Sequence, residues 1–162
     1  MSLPRELRIR DGKLLQTPIT GIETLRSDEP VELGLLPPAC ELEIRVLEGD
    51  FDLNLFTRAD GTGGLRLHYD REKKLCTLDR SGMDKRFNTQ VFETLDMPLE
   101  QPLRSLRIFI DRSSAELFFN DGEAVFTTHV YPTQREFHWN ITENAAFRMW
   151  KLERSVTDEF VV

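Results

Sequence analysis

Two carboxylates, Asp111 and Glu116, lie on either side of a short predicted turn. Retaining glycosidases use a pair of carboxyl groups about 5 Å apart, and two strands joined by a tight turn could hold them at that separation. Arg107 and Arg112 lie close by in the sequence, however, and ion pairs that fix the turn would explain the same charges. The pattern therefore favours a structural hairpin over a catalytic one.

A second group of oxygen donors has the start of a calcium-binding motif. Asp50, Asp52 and Asn54 have the spacing D-x-D-x-N, but Leu55 stands where a calcium loop needs glycine, and no glutamate closes the motif. The same residues alternate with apolar ones, which is typical of a strand. We therefore expect no calcium site here.

The remaining metal-ligating and redox-active side chains are scattered. The three histidines are His68, His129 and His138. They share no ligand spacing, so the sequence predicts no metal and no cofactor. Cys40 and Cys76 could form a disulfide, but Cys40 falls in phase with the apolar positions of a predicted strand, where a reduced thiol packs well. We expect two reduced cysteines in the core.

The elements that must position the carboxylate pair are three strands and two turns. Leu106 to Ile110 alternates apolar and polar residues, and Arg112-Ser113-Ser114 supplies a turn before a second strand, Ala115 to Phe119. Asn120-Asp121-Gly122 tolerates positive φ and predicts a tight hairpin before Ala124 to Tyr131. The predicted structural hairpin motif comprises Asp111, Arg112, Ser113, Glu116, Phe118, Asn120 and Gly122.

Alternation continues through most of the chain, and no helical pattern competes with it. Further strands are predicted at Cys40 to Val46, Phe51 to Leu55, Leu65 to Tyr69, Leu75 to Leu78, Phe137 to Ile141 and Phe147 to Leu152. Residues 84–100 are the least periodic, so we expect them to cross between sheets. This spacing of short strands predicts an all-β, antiparallel two-sheet β-sandwich.

These residues also resemble a known family. DRSSAELFFNDGEAVFTTHVYP, which begins at Asp111, is similar to the signature of the C-terminal β-sandwich of glycoside hydrolase family 32, the invertase, sucrose-6-phosphate hydrolase, levanase and inulinase group. Near the start, Pro4-Arg5-Glu6-Leu7, then Gln16-Thr17-Pro18 and Leu25-Arg26, resemble the segment that leaves the family's catalytic propeller. The resemblance implies a jelly-roll, concanavalin-like sandwich at residues 29–162, with residues 1–28 as the linker and first strand leaving an N-terminal five-bladed propeller.

The catalytic motifs of that family are absent from this sequence. The family places its nucleophile in W-M-N-D-P-N-G, its transition-state stabiliser in R-D-P and its general acid in E-C. Neither Trp139 nor Trp150 begins such a box, no Arg-Asp-Pro occurs, and neither cysteine follows a glutamate. The resemblance therefore implies a β-fructofuranosidase that hydrolyses with retention, whose reacting residues lie outside this chain, and we expect the chain alone to be inactive.

Size and charge limit the partners. The chain has 162 residues, enough for one domain that buries roughly two-thirds of its unfolded surface. With 21 Lys and Arg against 28 Asp and Glu, its net charge of −7 repels phosphate backbones and anionic lipids, so we expect neither nucleic acid nor membrane as a partner. The expected partners are the family's own propeller and, for dimerisation, a second copy. Reduced thiols suggest a bacterial cytoplasmic enzyme.

Three functions stay open at this point. The chain is a structural domain that stabilises the propeller, a carbohydrate-binding module that holds fructan or sucrose, or an independent enzyme, for which no nucleophile or acid is found. A sugar-stacking platform would draw on Tyr69, Tyr131, Trp139, Trp150, Phe118 and Phe119. Large aromatics more often pack in cores and interfaces, so the sequence favours the structural domain.

Overall fold

The computed structural model describes residues 3–84, 93–131, 133 and 136–153. Its strands are β1 (Arg5–Arg10), β2 (Lys13–Pro18), β3 (Ala39–Val46), β4 (Phe51–Thr57), β5 (Gly64–Asp70), β6 (Leu75–Gly82), β7 (Thr94–Pro98), β8 (Ser105–Asp111), β9 (Ser114–Phe119), β10 (Ala124–His129), β11 (His138–Ile141) and β12 (Ala145–Lys151). A 3₁₀ helix spans Ile22–Leu25. Within these described ranges, no helix is long and apolar enough to cross a membrane.

Ten of the strands form two five-stranded antiparallel sheets, and β1 and β2 form a separate hairpin. Sheet I has the order β11-β4-β5-β6-β7, and sheet II has the order β10-β9-β8-β3-β12. The two sheets pack face to face around one hydrophobic core. The predicted antiparallel two-sheet sandwich is confirmed.

The core forms because the apolar residues of each strand recur with a period of two. Leu42 and Ile108, which are register partners in sheet II, and Leu53 and Leu67, which are partners in sheet I, are at most 1% exposed. Each such side chain stabilises the fold by about 1.5–3 kcal/mol through burial. The polar residues between them point to the outer faces, so each sheet presents one outer face for function.

One expectation about chain topology is wrong. Within the segment 84–100, which we expected to cross between sheets, Thr94–Pro98 forms β7 and pairs with β6 at the edge of sheet I. Residues 85–92 of this segment lie outside the described residues. An edge strand has a partner on one side only, and Leu95 stays exposed there, so the apolar alternation is weak. The crossing follows β7, where Leu103 is buried and its backbone N–H donates to the Tyr69 hydroxyl.

Residues 3–28 cover part of the outer face of sheet II, and we call them the N-terminal cover. Ile22 packs with Phe109 and Phe118 in a second hydrophobic cluster on this face. The cover is also tied to the end of β12, because the Ser27 N–H donates to the Lys151 carbonyl and the Glu153 N–H donates to the Leu25 carbonyl. Where the sequence predicted a linker and one strand, the structure has two strands and a 3₁₀ helix.

Candidate functional site

Glu116, one of the two candidate carboxylates, holds the N-terminal cover. It lies on the outer face of sheet II and is 4% exposed. One carboxylate oxygen accepts from the Arg5 guanidinium at 2.8 Å, and the other accepts from the Leu3 backbone N–H. Arg5 also donates to Thr127 of β10 at 2.7 Å. A buried carboxylate with both oxygens occupied by fixed donors is an anchor for the incoming chain, not a nucleophile or a general acid.

The prediction that ion pairs of Arg107 and Arg112 fix this turn is wrong. Arg107 pairs with Glu41 at 2.5 Å and with Glu23 at 2.8 Å instead. Asp111 and Arg112 are exposed at the turn, where Arg112 has φ of 45°. We expected residues close in sequence on this hairpin to pair with each other. Instead, the outward-facing side chain of Arg107 pairs with Glu41 on β3 and with Glu23 in the N-terminal cover.

The turn after β9 also contacts the N-terminal cover. Asn120, Asp121 and Gly122 have φ of 47°, 59° and 90°, which confirms the predicted positive-φ turn. The Gln16 N–H of β2 donates to the Gly122 carbonyl at 3.0 Å. A Cβ at Gly122 would lie 2.2 Å from the Gln16 carbonyl oxygen, so only glycine permits this approach. The second turn of the predicted hairpin motif thus anchors β2, as Glu116 anchors β1.

A network of charges lies between the cover and sheet II, and sequence reasoning missed it. Glu41 is 0% exposed and accepts from Arg26 of the cover at 2.9 and 2.8 Å, as well as from Arg107. Glu43 accepts from Arg26 at 2.6 Å and from Arg148 at 2.7 Å. The signal that the sequence offered for this network is a pair of acidic residues, Glu41 and Glu43, at alternate, outward-facing positions of β3. The network makes Arg26 a clamp between the cover and the sheet.

These contacts shift the titration of their members. The hydrogen bond with Glu41 raises the pKa of Arg26, although burial opposes it. Burial would raise the pKa of Glu43, but hydrogen bonds from Arg26 and Arg148 lower it below the usual value. The pKa of Glu23 is also lowered, first by a hydrogen bond from its own backbone and then by Arg107. Arg26, Glu43 and Glu23 are therefore each held in their charged forms at neutral pH.

Five of the six aromatic residues considered for a sugar-stacking platform are not available for one. Tyr69, Phe119, Phe118 and Trp139 are at most 7% exposed, so they pack in the hydrophobic clusters, as the sequence favoured. The ring of Trp150 carries the Arg26 guanidinium at 3.8 Å from its centroid, so cations occupy a face that a sugar would need.

The other candidate residues, Asp52 and the two cysteines, lie in structural environments. Asp52 lies on β4, as predicted, and contacts Arg66 at 2.9 Å and His68 at 3.0 Å. Among the described residues, no three His, Cys, Asp or Glu side chains converge as metal ligands would. Cys40 and Cys76 are buried and unpaired, which confirms the reduced core cysteines. Burial raises the pKa of Cys76 to about 12 and raises that of Cys40 as well, so both thiols stay protonated.

Comparison with known sequences agrees with this arrangement. The model of the family described as glycosyl hydrolases family 32 C terminal matches residues 16–154. The chain is 34% identical to sucrose-6-phosphate hydrolase of Staphylococcus xylosus over 81% of its own length and 29% of that protein. It is 33% identical to raffinose invertase of Escherichia coli, covering 82% of the chain and 29% of the relative. The chain thus spans less than a third of these curated relatives.

Solved structures show the same fold. Sucrose-6-phosphate hydrolase from Lactobacillus gasseri superposes with a TM-score of 0.76 at 23% identity, over 92% of this chain and 33% of that one. Exo-inulinase from Aspergillus awamori superposes with a TM-score of 0.73 at 21% identity, over 93% of this chain and 35% of that one. With the sandwich, the anchored cover and a family model that matches most of its length, the chain belongs to the C-terminal domain family of the glycoside hydrolase family 32 enzymes.

Proposed function

We propose that the chain is the non-catalytic C-terminal domain of a retaining β-fructofuranosidase that hydrolyses sucrose or sucrose-6-phosphate, and that it stabilises the catalytic propeller. The relatives named as sucrose-6-phosphate hydrolase and raffinose invertase support the substrate class. A cytoplasmic location fits the two reduced, buried thiols. On this proposal the isolated chain releases no fructose from either sugar.

The observation that carries the stabilising role is an apolar patch on the β1–β2 hairpin. Leu7, Ile9 and Leu14 are 63%, 81% and 54% exposed. Ile9 and Leu14 are register partners, and Leu7 shares their face of the hairpin, so the three side chains form one continuous surface. Exposed apolar clusters on a folded domain usually mark a contact with another surface.

The position of this hairpin indicates which surface covers the patch. The family model is described as C-terminal, so in such enzymes the remaining two-thirds or so of the chain precedes this domain. The hairpin comes first in the described fold, and Glu116 and Gly122 fix its two strands to sheet II. A rigidly held apolar patch beside the point of entry is suited to dock against the preceding propeller.

A titration tests the stabilising role. The propeller, produced separately, is expected to melt at a higher temperature when this chain is added, because a partner that binds only the folded state raises its stability. The patch variant Leu7→Ser/Ile9→Ser/Leu14→Ser is expected to bind about tenfold more weakly or worse. The matched control is Leu33→Ser/Leu47→Ser, which removes leucines that are 81% and 65% exposed elsewhere.

The outcomes separate this role from the alternatives. An unchanged melting temperature of the propeller, or equal losses in both variants, would contradict docking through the hairpin. Calorimetry with neutral sucrose or inulin is expected to show no binding, and a dissociation constant below about 1 mM would favour a carbohydrate-binding module instead. Self-association of the isolated chain that the patch variant abolishes would show that the same surface supports a dimer.

A further inference from the structure

Aspartate precedes glycine at three places in the chain, each in a connection between two paired antiparallel strands. The three pairs are Asp11-Gly12, Asp60-Gly61 and Asp121-Gly122. Such a pair is chemically unstable, because glycine has no Cβ to keep its backbone nitrogen away from the aspartate carboxyl group. The fold decides which pair reacts, since the nitrogen and the carboxyl group must both be free to move.

The pair at Asp60 is restrained on both sides. The Gly61 N–H donates to the Arg58 carbonyl at 2.9 Å. The Asp60 carboxylate accepts from the Thr62 N–H at 2.9 Å and from the Thr62 hydroxyl at 2.7 Å. Both the attacking nitrogen and the carboxyl group would have to leave their partners before they could react.

The pair at Asp121 is restrained through its glycine. The Gly122 N–H donates to the Phe119 carbonyl at 3.0 Å. The backbone of β2 packs so closely on this turn that a Cβ at Gly122 would lie 2.2 Å from the Gln16 carbonyl oxygen. Attack by the Gly122 nitrogen therefore requires the contact between the turn and β2 to open.

The pair at Asp11 has none of these restraints. Among the described residues, neither the Gly12 N–H nor the Asp11 carboxyl group has a hydrogen-bond partner, and a Cβ at Gly12 would meet no atom within 4 Å. Residues 7–14 are all exposed, and β1 and β2 pair only with each other. Lys13 contacts Glu100, but only through the end of its side chain. Because a two-stranded hairpin is marginally stable in water, its tip opens locally.

From this contrast we propose that Asp11 is the aspartate–glycine pair at which the folded chain forms isoaspartate. The Gly12 nitrogen attacks the side-chain carboxyl carbon of Asp11, so that a C–N bond forms and the carboxyl hydroxyl leaves as water with the amide proton. Water then opens the resulting succinimide at the former backbone carbonyl of Asp11. The chain afterwards runs through the Asp11 Cβ, and the former backbone carbonyl carbon becomes a free carboxylate. Water is the only co-reactant.

The extra backbone carbon changes the hairpin that carries it. Asp11 and Gly12 have φ of 52° and 75° and form a two-residue turn between the register partners Arg10 and Lys13. Turn length sets hairpin register, so a turn one carbon longer loosens the pairing beside it. Displacement of the apolar patch on this hairpin would weaken docking to a propeller. That consequence rests on the proposed function, whereas the modification itself does not.

The test measures isoaspartate by peptide mapping with electron-transfer fragmentation, which distinguishes it from aspartate. The chain is kept at mildly acidic pH, where part of the carboxyl groups are protonated and can lose water. We expect several times more isoaspartate at Asp11 than at Asp60 or Asp121. The same chain in concentrated urea is the control, because without the fold the three pairs should react at similar rates.

Two matched variants identify the reacting group. Asp11→Glu should remove the modified species, because the longer side chain would have to close a six-membered ring, and its melting temperature shows that it folds. Asp121→Glu, the same change in the other hairpin turn, should leave isoaspartate at Asp11 unchanged. The proposal is overturned if Asp60 or Asp121 reacts as fast as Asp11 in the folded chain, or if the excess at Asp11 persists in urea.

Discussion

The two outer faces of the sandwich are built from similar polar residues but have opposite surroundings. On sheet I, Asp52 pairs with Arg66, and the two side chains are 29% and 59% exposed. On sheet II, Glu41 is 0% exposed because Arg26 and Arg107 cover it. An ion pair in water contributes little, whereas one removed from water depends on every partner being in place. The difference shows that the N-terminal cover, which is not part of sheet II, removes polar groups on the outer face of that sheet from water.

The largest effect is expected from removing the buried acid. Glu41→Ala leaves Arg26 and Arg107 facing each other without their common partner, and we expect the free energy of unfolding to fall by about 3 kcal/mol. The matched variant on sheet I, Asp52→Ala, is expected to cost no more than about 1 kcal/mol. Urea denaturation of both variants measures the contrast. Equal losses would show that the cover does not remove Glu41 from water.

A smaller effect is expected at the turn that anchors β2. Gly122 and Gly21 have φ of 90° and 91°, but only at Gly122 would a Cβ meet backbone, at 2.2 Å from the Gln16 carbonyl oxygen. Gly21→Ala should cost only the strain of a left-handed alanine, about 1–2 kcal/mol. Gly122→Ala should cost about 1–3 kcal/mol more, because β2 must move away. The denaturation midpoints of the pair decide this, and a smaller loss at Gly122 would place β2 elsewhere.

The smallest effect on stability per residue is expected when the pH is lowered. Hydrogen bonds from Thr20 lower the pKa of Glu6 from 4.5 to about 2, and the pKa of Glu43 is lowered as well. A carboxyl group with a lowered pKa in the folded state contributes stability above its unfolded pKa and loses it as the pH falls. The melting temperature should therefore decline between about pH 4.5 and 2. Glu6→Gln/Glu43→Gln should show a shallower decline, and an identical slope would refute the assignment.

Most of the sandwich could be predicted from the sequence because its determinants are local. Alternation along β3 or β8 and the residue types of the Asn120–Gly122 turn specify strand and reversal without knowledge of any partner. The reversals after β8 and β9 lie where the sequence predicted them, but the partner of Glu116 could not be predicted, because Arg5 lies 111 residues away in sequence. Arg26 and Glu41 were missed for the same reason, since an ion pair between distant residues leaves no periodic signal.

The pairing of residues 25–27 with 151–153 has a consequence for the order in which the chain can fold during synthesis. The ribosome delivers residues 25–27 long before Lys151 and Glu153, whose backbone groups complete the hydrogen bonds of this segment. Ile22, by contrast, packs on Phe109 and Phe118, which the ribosome delivers well before Lys151. The start of the cover can therefore dock before its end, and the hydrogen bonds of residues 25–27 close last. In a nascent chain halted before Lys151, the Ser27 amide should exchange with solvent faster than in one extended past Glu153.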